Sequence, residues 1–114
     1  MSFFESYQQT AFFFFDPCRS PGPTCPAEVY VINYLSTRNY TMFVKVENID
    51  TKVVVRLEGS LDGCEYAPML SEEITANGNY VYNSYGFPMK KVRCNFFSET
   101  GGNKAIITFK IAAN

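Results

Sequence analysis

From residue 28 to the C-terminus the sequence runs in a two-residue period broken by turn residues, and no helical period survives more than a turn. In "TMFVKVENI" (41 to 49), Met42, Val44 and Val46 share one face and Phe43, Lys45 and Glu47 the other. "TKVVVRLEGSL" (51 to 61) sets Val53, Val55 and Leu57 against Val54, Arg56 and Glu58. "KKVRCNFFS" (90 to 98) aligns Val92, Cys94 and Phe96, and "KAIITFKIA" (104 to 112) aligns Ala105, Ile107, Phe109 and Ile111. "EVYVINYL" (28 to 35) and "NYVYNSY" (79 to 85) are β-branched and aromatic, as strands are.

Turn signals fall between these runs. Asp50-Thr51 and "ETGGN" (99 to 103) each read as the link of a hairpin, and Asp62-Gly63 and Asn77-Gly78 are turn dipeptides. Tyr66, Met69, Leu70 and Ile74, in a less regular stretch, are candidates to plug one end of the core. The expected fold is an all-β antiparallel sandwich, jelly-roll or immunoglobulin-like, of about seven or eight strands. At 114 residues there is material for one modest core.

Residues 1–27 are written differently. Phe3 and Phe4 precede "AFFFFDPCRSPGPTCP", in which Phe12, Phe13, Phe14 and Phe15 run into a Pro-rich loop bracketed by Cys18 and Cys25. We read 1–27 as an N-terminal extended arm, with a short helix over 2–10 as an option, and 28–114 as the sandwich domain. Burying one phenylalanine contributes about 1.5 to 3 kcal/mol, whereas ordering a residue costs about 1 to 2 kcal/mol, so the run must be covered to be held. Two coverings fit: residues 10–16 form one more strand of the same domain, or the arm adds a strand to a neighbouring subunit through Phe3, Phe4 and Phe12 to Phe15. Pro17, Pro21, Pro23 and Pro26 suit a stiff connector.

Charge and residue type narrow the function classes. A net charge of −1 with scattered cations offers no footprint for nucleic acid, and no run is apolar for long enough to span a membrane. The absence of histidine removes the commonest general base and metal ligand, and adjacent Glu72 and Glu73 face opposite sides of a strand, so no enzyme, cofactor or metal is expected. Cys18 and Cys25 enclose "RSPGPT", and a disulfide there would contribute about 2 to 3 kcal/mol; the competing reading is reduced thiols throughout, with Cys94 a small buried hydrophobe.

"VVVRLEGSLDGCEYAPM", "ITANGNYVYN" and "MKKVRCNFFSETGGNKAIITFKIAAN" together resemble the small β-sandwich structural proteins of tailed-phage virions, the head-decoration and fibre-base subunits. Related patterns occur in subunits of bacterial surface and spore appendages. The likeness covers about residues 40–114; Tyr66 where a tryptophan is common, Cys64, Cys94 and the arm depart from it. It implies a structural subunit on a virion surface, assembled in the host cytoplasm, that binds and stabilises a capsid lattice. Its partners would be a major capsid protein or copies of itself, in a homo-oligomer such as a trimer. Tyr30, Tyr34, Tyr40, Phe43, Tyr80 and Tyr82 are the candidate surface contacts. The alternatives are a repeating subunit of an extracellular or spore filament joined by donor-strand arms, and a carbohydrate-binding adhesin module that uses its tyrosines.

Overall fold

The computed structural model describes residues 11–14, 17–23, 29–31, 35, 37–86 and 88–113. Six long strands form the body: β4 (Asn39–Glu47), β5 (Lys52–Ser60), β6 (Ala67–Ile74), β7 (Gly78–Tyr85), β8 (Lys91–Thr100) and β9 (Ile106–Ala113). Three short segments, β1 (Ala11–Phe14), β2 (Gly22–Pro23) and β3 (Val29–Tyr30), add to sheet edges. The long strands number six where seven or eight were expected; before residue 37 the described segments pair over two to four residues each. The expected helix over 2–10 lies outside the described residues.

The strands form two antiparallel sheets. One runs β1-β9-β4-β7, the other β2-β8-β5-β6 with β3 also on β8. The alternation read from the sequence is the burial observed: Met42, Val44, Val53, Val55, Leu57, Val92, Cys94, Phe96, Ala105, Ile107, Phe109 and Ile111 are fully enclosed between the sheets. The period slips once in β8. The register with β5 shifts between Val54 and Val55, leaving Phe97 without an opposite residue; Phe96 lies inside and Phe97, next in the alternation, faces solvent.

Connectivity departs from the sequence reading. β4 and β5 are not a hairpin, nor are β8 and β9: each pair is split between the two sheets. Among the long strands only β5 and β6 are successive and paired, through the Asp62-Gly63 turn. The other links are arches, and three of them meet at one end of the sandwich. Asn48 takes the left-handed conformation at φ 57° to leave β4, and Ile49 N–H donates to Asn77 Oδ1 in the β6–β7 arch at 2.8 Å. Gly101, at φ 87°, and Gly102 bring the β8–β9 arch against Thr51 and Asp50, and Ala105 N–H donates to Glu99 Oε2 at 3.1 Å. A β-carbon on Gly101 would lie 2.6 Å from Thr51 Cβ. Gly101→Ala therefore combines backbone strain with a steric clash at the point where two arches touch, and is expected to lower stability by about 1 to 3 kcal/mol in urea denaturation; a change under about 0.5 kcal/mol, the usual range for a surface substitution, would show that the arches are not packed as described.

Candidate functional site

The two sheets differ in what they show to solvent. On the outer face of the β5–β8 sheet, Glu58 is buried although it sits on the polar phase of β5, because Arg93 and Asn95 of β8 close over it. Arg93 Nε donates to Glu58 Oε1 at 2.6 Å and Asn95 Nδ2 to Glu58 Oε2 at 3.0 Å. The Arg93 guanidinium also lies 4.0 Å from the centre of the Tyr66 ring, and Arg56 caps Phe97 at 3.5 Å. Charge and ring are thus paired with each other on this face. A buried carboxylate with two donors is a satisfied group, while Phe97 on the same face stays exposed beneath Arg56.

The outer face of the β4–β9 sheet is less polar. Phe43 stands at its centre with the Lys110 ammonium 5.3 Å from its ring, and beside it lie Thr41, Val81 and Ala112 around a shallow groove of about 260 Å³. Val81 and Tyr85 project from β7, 64% and 73% exposed. On the other side of Phe43 the same face carries Lys45, Glu47, Asn79 and Thr108, so the apolar part is the patch of Phe43, Val81 and Ala112, and it reaches the β7 strand edge.

Edges are where main-chain donors and acceptors remain to be paired. Along one side of the sandwich the N-terminal segment covers both sheets. Ala11, Phe12, Phe13 and Phe14 stand opposite Ala113, Ala112, Ile111 and Lys110, and Cys18 exchanges reciprocal bonds with Ile107 at 2.7 and 2.9 Å. Gly22 and Pro23 then cross to Phe96 and Asn95, and Val29 and Tyr30 to Val92 and Lys91. The other side ends on β6 and β7. β6 carries Pro68, Glu72, Glu73 and a register shift, all features that discourage another strand. β7, GNYVYNSY, has no charge and no proline.

These positions sort the expected contact residues. Phe43 is on the outer face as anticipated. Tyr40 is not a surface contact: β4 begins at Asn39, so Tyr40 falls in phase with Met42 and is fully buried. Its hydroxyl accepts from Met89 N–H at 2.7 Å and donates to Thr37 O at 3.4 Å, and burial pushes its pKa up. Tyr80 and Tyr82 are half-buried on the inner side of β7, stacked with ring centres 6.4 Å apart and packed against the core. Burial, and then the charge of Glu72, raises the Tyr82 pKa. Tyr30 pairs through its backbone with Lys91, while Tyr34, Phe3, Phe4, Phe15 and Cys25 lie outside the described residues. Cys18 and Cys94 are buried in the core, and burial raises the Cys94 pKa well above the ordinary thiol value, so it stays protonated. Val81, Tyr85 and Phe97 are exposed apolar residues beyond the expected contacts; the alternation of NYVYNSY sets Val81 and Tyr85 on the face opposite Tyr80 and Tyr82.

At the far end, the β5–β6 turn is organised by Asp62. Its Oδ1 accepts from Cys64 N–H at 2.8 Å, Glu65 N–H at 3.0 Å and Ser60 Oγ at 3.0 Å, and these bonds lower its pKa from the ordinary 3.8 to about 2. A depressed carboxylate pKa stabilises the fold above the unfolded value, and the effect is lost as pH falls through the folded one. The Cys64 and Glu65 amide resonances should accordingly shift with a midpoint near 2 in an NMR acid titration; a midpoint at 3.8 would show that the bonds do not hold the ionised form.

No family model and no curated protein matches this sequence. Its fold is similar to solved structures. The crystal structure of the SPBc2 prophage-derived protein YomS aligns over 92% of this chain and 93% of its own, at 14% identity and a TM-score of 0.60. Looser matches include a low-affinity xylan binding module from the gut symbiont Roseburia intestinalis (TM-score 0.47, 11% identity, 92% of this chain and 94% of that one). A subunit of Bacillus endospore appendages that form disulfide-linked pili also aligns (TM-score 0.43, 10% identity, 91% and 80%). The first of these shows a shared β-sandwich.

Proposed function

We propose that this chain is a non-enzymatic structural subunit of a virion surface, which attaches to a capsid lattice or to copies of itself through its N-terminal segment and the outer face of the β4–β9 sheet. The observation that carries the reading is the asymmetry between the faces: one carrying paired charges, the other apolar around Phe43 and Val81 and bounded by strand edges. The strand order supports a jelly-roll description, since the long strands alternate between sheets except at β5–β6, and jelly rolls serve widely as capsid domains. The fold shared with a prophage-derived protein points the same way.

In this reading β1 works as an exchangeable strand. The backbone bonds that Ala11–Phe14 makes to its own β9 are available without change from the β9 of a neighbour, so donation between copies costs little beyond straightening the connector after Cys18. The sandwich then stands outward and stiffens the lattice.

The test is the mass in solution, by light scattering, of the full chain and of a variant with Phe12, Phe13, Phe14 and Phe15 each replaced by serine. The reading predicts an oligomer for the full chain and a smaller, folded species for the variant. A full-length monomer whose serine variant unfolds would place the phenylalanines wholly within their own fold and remove the support for the reading.

A further inference from the structure

Among the described residues strand β7 has an open side, and its chemistry specifies what fits there. Gly86 N–H donates to Arg38 O at 2.9 Å, in register with the β4–β7 ladder, so 38 and 86 form a hydrogen-bonded pair. In an antiparallel ladder such pairs alternate with non-bonded ones. Tyr80, Tyr82 and Ser84 therefore direct their backbone groups to β4, while Asn79, Val81, Asn83 and Tyr85 direct theirs away from it. The same alternation carried across β4 and β9 turns Ile107 toward the N-terminal segment, where its reciprocal bonds with Cys18 are found. Among the described residues no strand pairs with the outward side of β7.

We propose that the outward edge of β7 pairs antiparallel with β7 of a second copy of this chain, about a two-fold axis at Tyr82. In that register Asn79 lies opposite Tyr85 and Val81 opposite Asn83, so all four residues whose backbone points outward exchange both N–H and C=O with the partner. Each residue also meets one of the same face, Val81 beside Asn83 and Tyr85 beside Asn79, so the two outer faces become continuous across the seam. A second copy is the occupant that the edge favours. With no charge anywhere in Gly78–Tyr85, the two β7 strands carry no like charges along the shared edge, and an acidic or basic peptide would gain no ion pair from the strand. β6, with Pro68, Glu72 and Glu73, is closed to the same arrangement. This deepens the assembly reading by naming a partner and a register, and it does not require exchange of β1.

Two substitutions isolate the edge. Val81→Pro removes an N–H that faces away from β4, so the internal ladder keeps its bonds; Val81→Lys puts like charges near each other across the two-fold axis at an exposed position. Light scattering at rising concentration should show the full chain reaching twice 12.9 kDa or a multiple of it, with both variants at half the mass of their parent or less and an unchanged circular dichroism spectrum. Should Val81→Pro unfold, Val81→Lys alone decides. The proposal is overturned by a full chain that stays at 12.9 kDa at all concentrations, or by a folded Val81→Lys variant that associates as the parent does. Association lost in the serine variant of the phenylalanine run but kept in Val81→Lys would overturn the β7 contact and leave the assembly reading in place.

Discussion

A two-sheet sandwich has four edges, and every edge carries main-chain donors and acceptors that must meet water, a charge barrier or another strand. In this molecule the four are treated in three ways. The N-terminal segment lies along β9 and then crosses to β8, covering two edges with one stretch of chain. β6 is guarded by Pro68, two glutamates and a bulge. β7 is left long, regular and uncharged. The core could be built behind any of these solutions, but the way the chain meets other molecules follows from which edge has which.

The interior and the arches set the geometry of those edges. Inward residues of β4 and β9, neighbours in one sheet, follow without interruption from Tyr40 to Val46 and from Ala105 to Ala113, which fixes the register of these two strands and, through β4, that of β7. At one end the β4–β5, β6–β7 and β8–β9 arches lean on each other through Ile49, Asn77, Thr51 and Gly101. β7 is thus held in register by an unbroken eight-residue ladder to β4, and an edge held in this way loses less entropy on pairing than a free strand.

How much of this was legible in the sequence depended on whether the cause was local. Alternation at Met42, Val44 and Val46, and again at Ile107, Phe109 and Ile111, is a property of consecutive residues, and it located the core. Connectivity is not local. Asn48-Ile49-Asp50 and Gly101-Gly102 serve an arch between sheets as well as they serve a hairpin, because turn residues satisfy backbone angles and say nothing of the partner strand. Tyrosine is ambiguous in the same way: Tyr40 and Tyr82 belong to similar strands, yet one is enclosed with its hydroxyl bonded and the other is half-buried. The apolar outer face was only partly visible, through Phe43, because Val81 read as one more strand residue and its significance comes from β7 being last in its sheet.

The central claim is that the uncharged edge of β7 is a contact surface while the guarded edge of β6 is not, and amide hydrogen exchange followed by NMR as the protein is concentrated tests it most directly. The account predicts that the Val81 and Asn83 amides, which face away from β4, slow markedly as concentration rises, while the exposed amides of Ser71 and Glu73 on β6 keep their rates. Val81 and Asn83 amides that exchange at one fast rate at every concentration would contradict it.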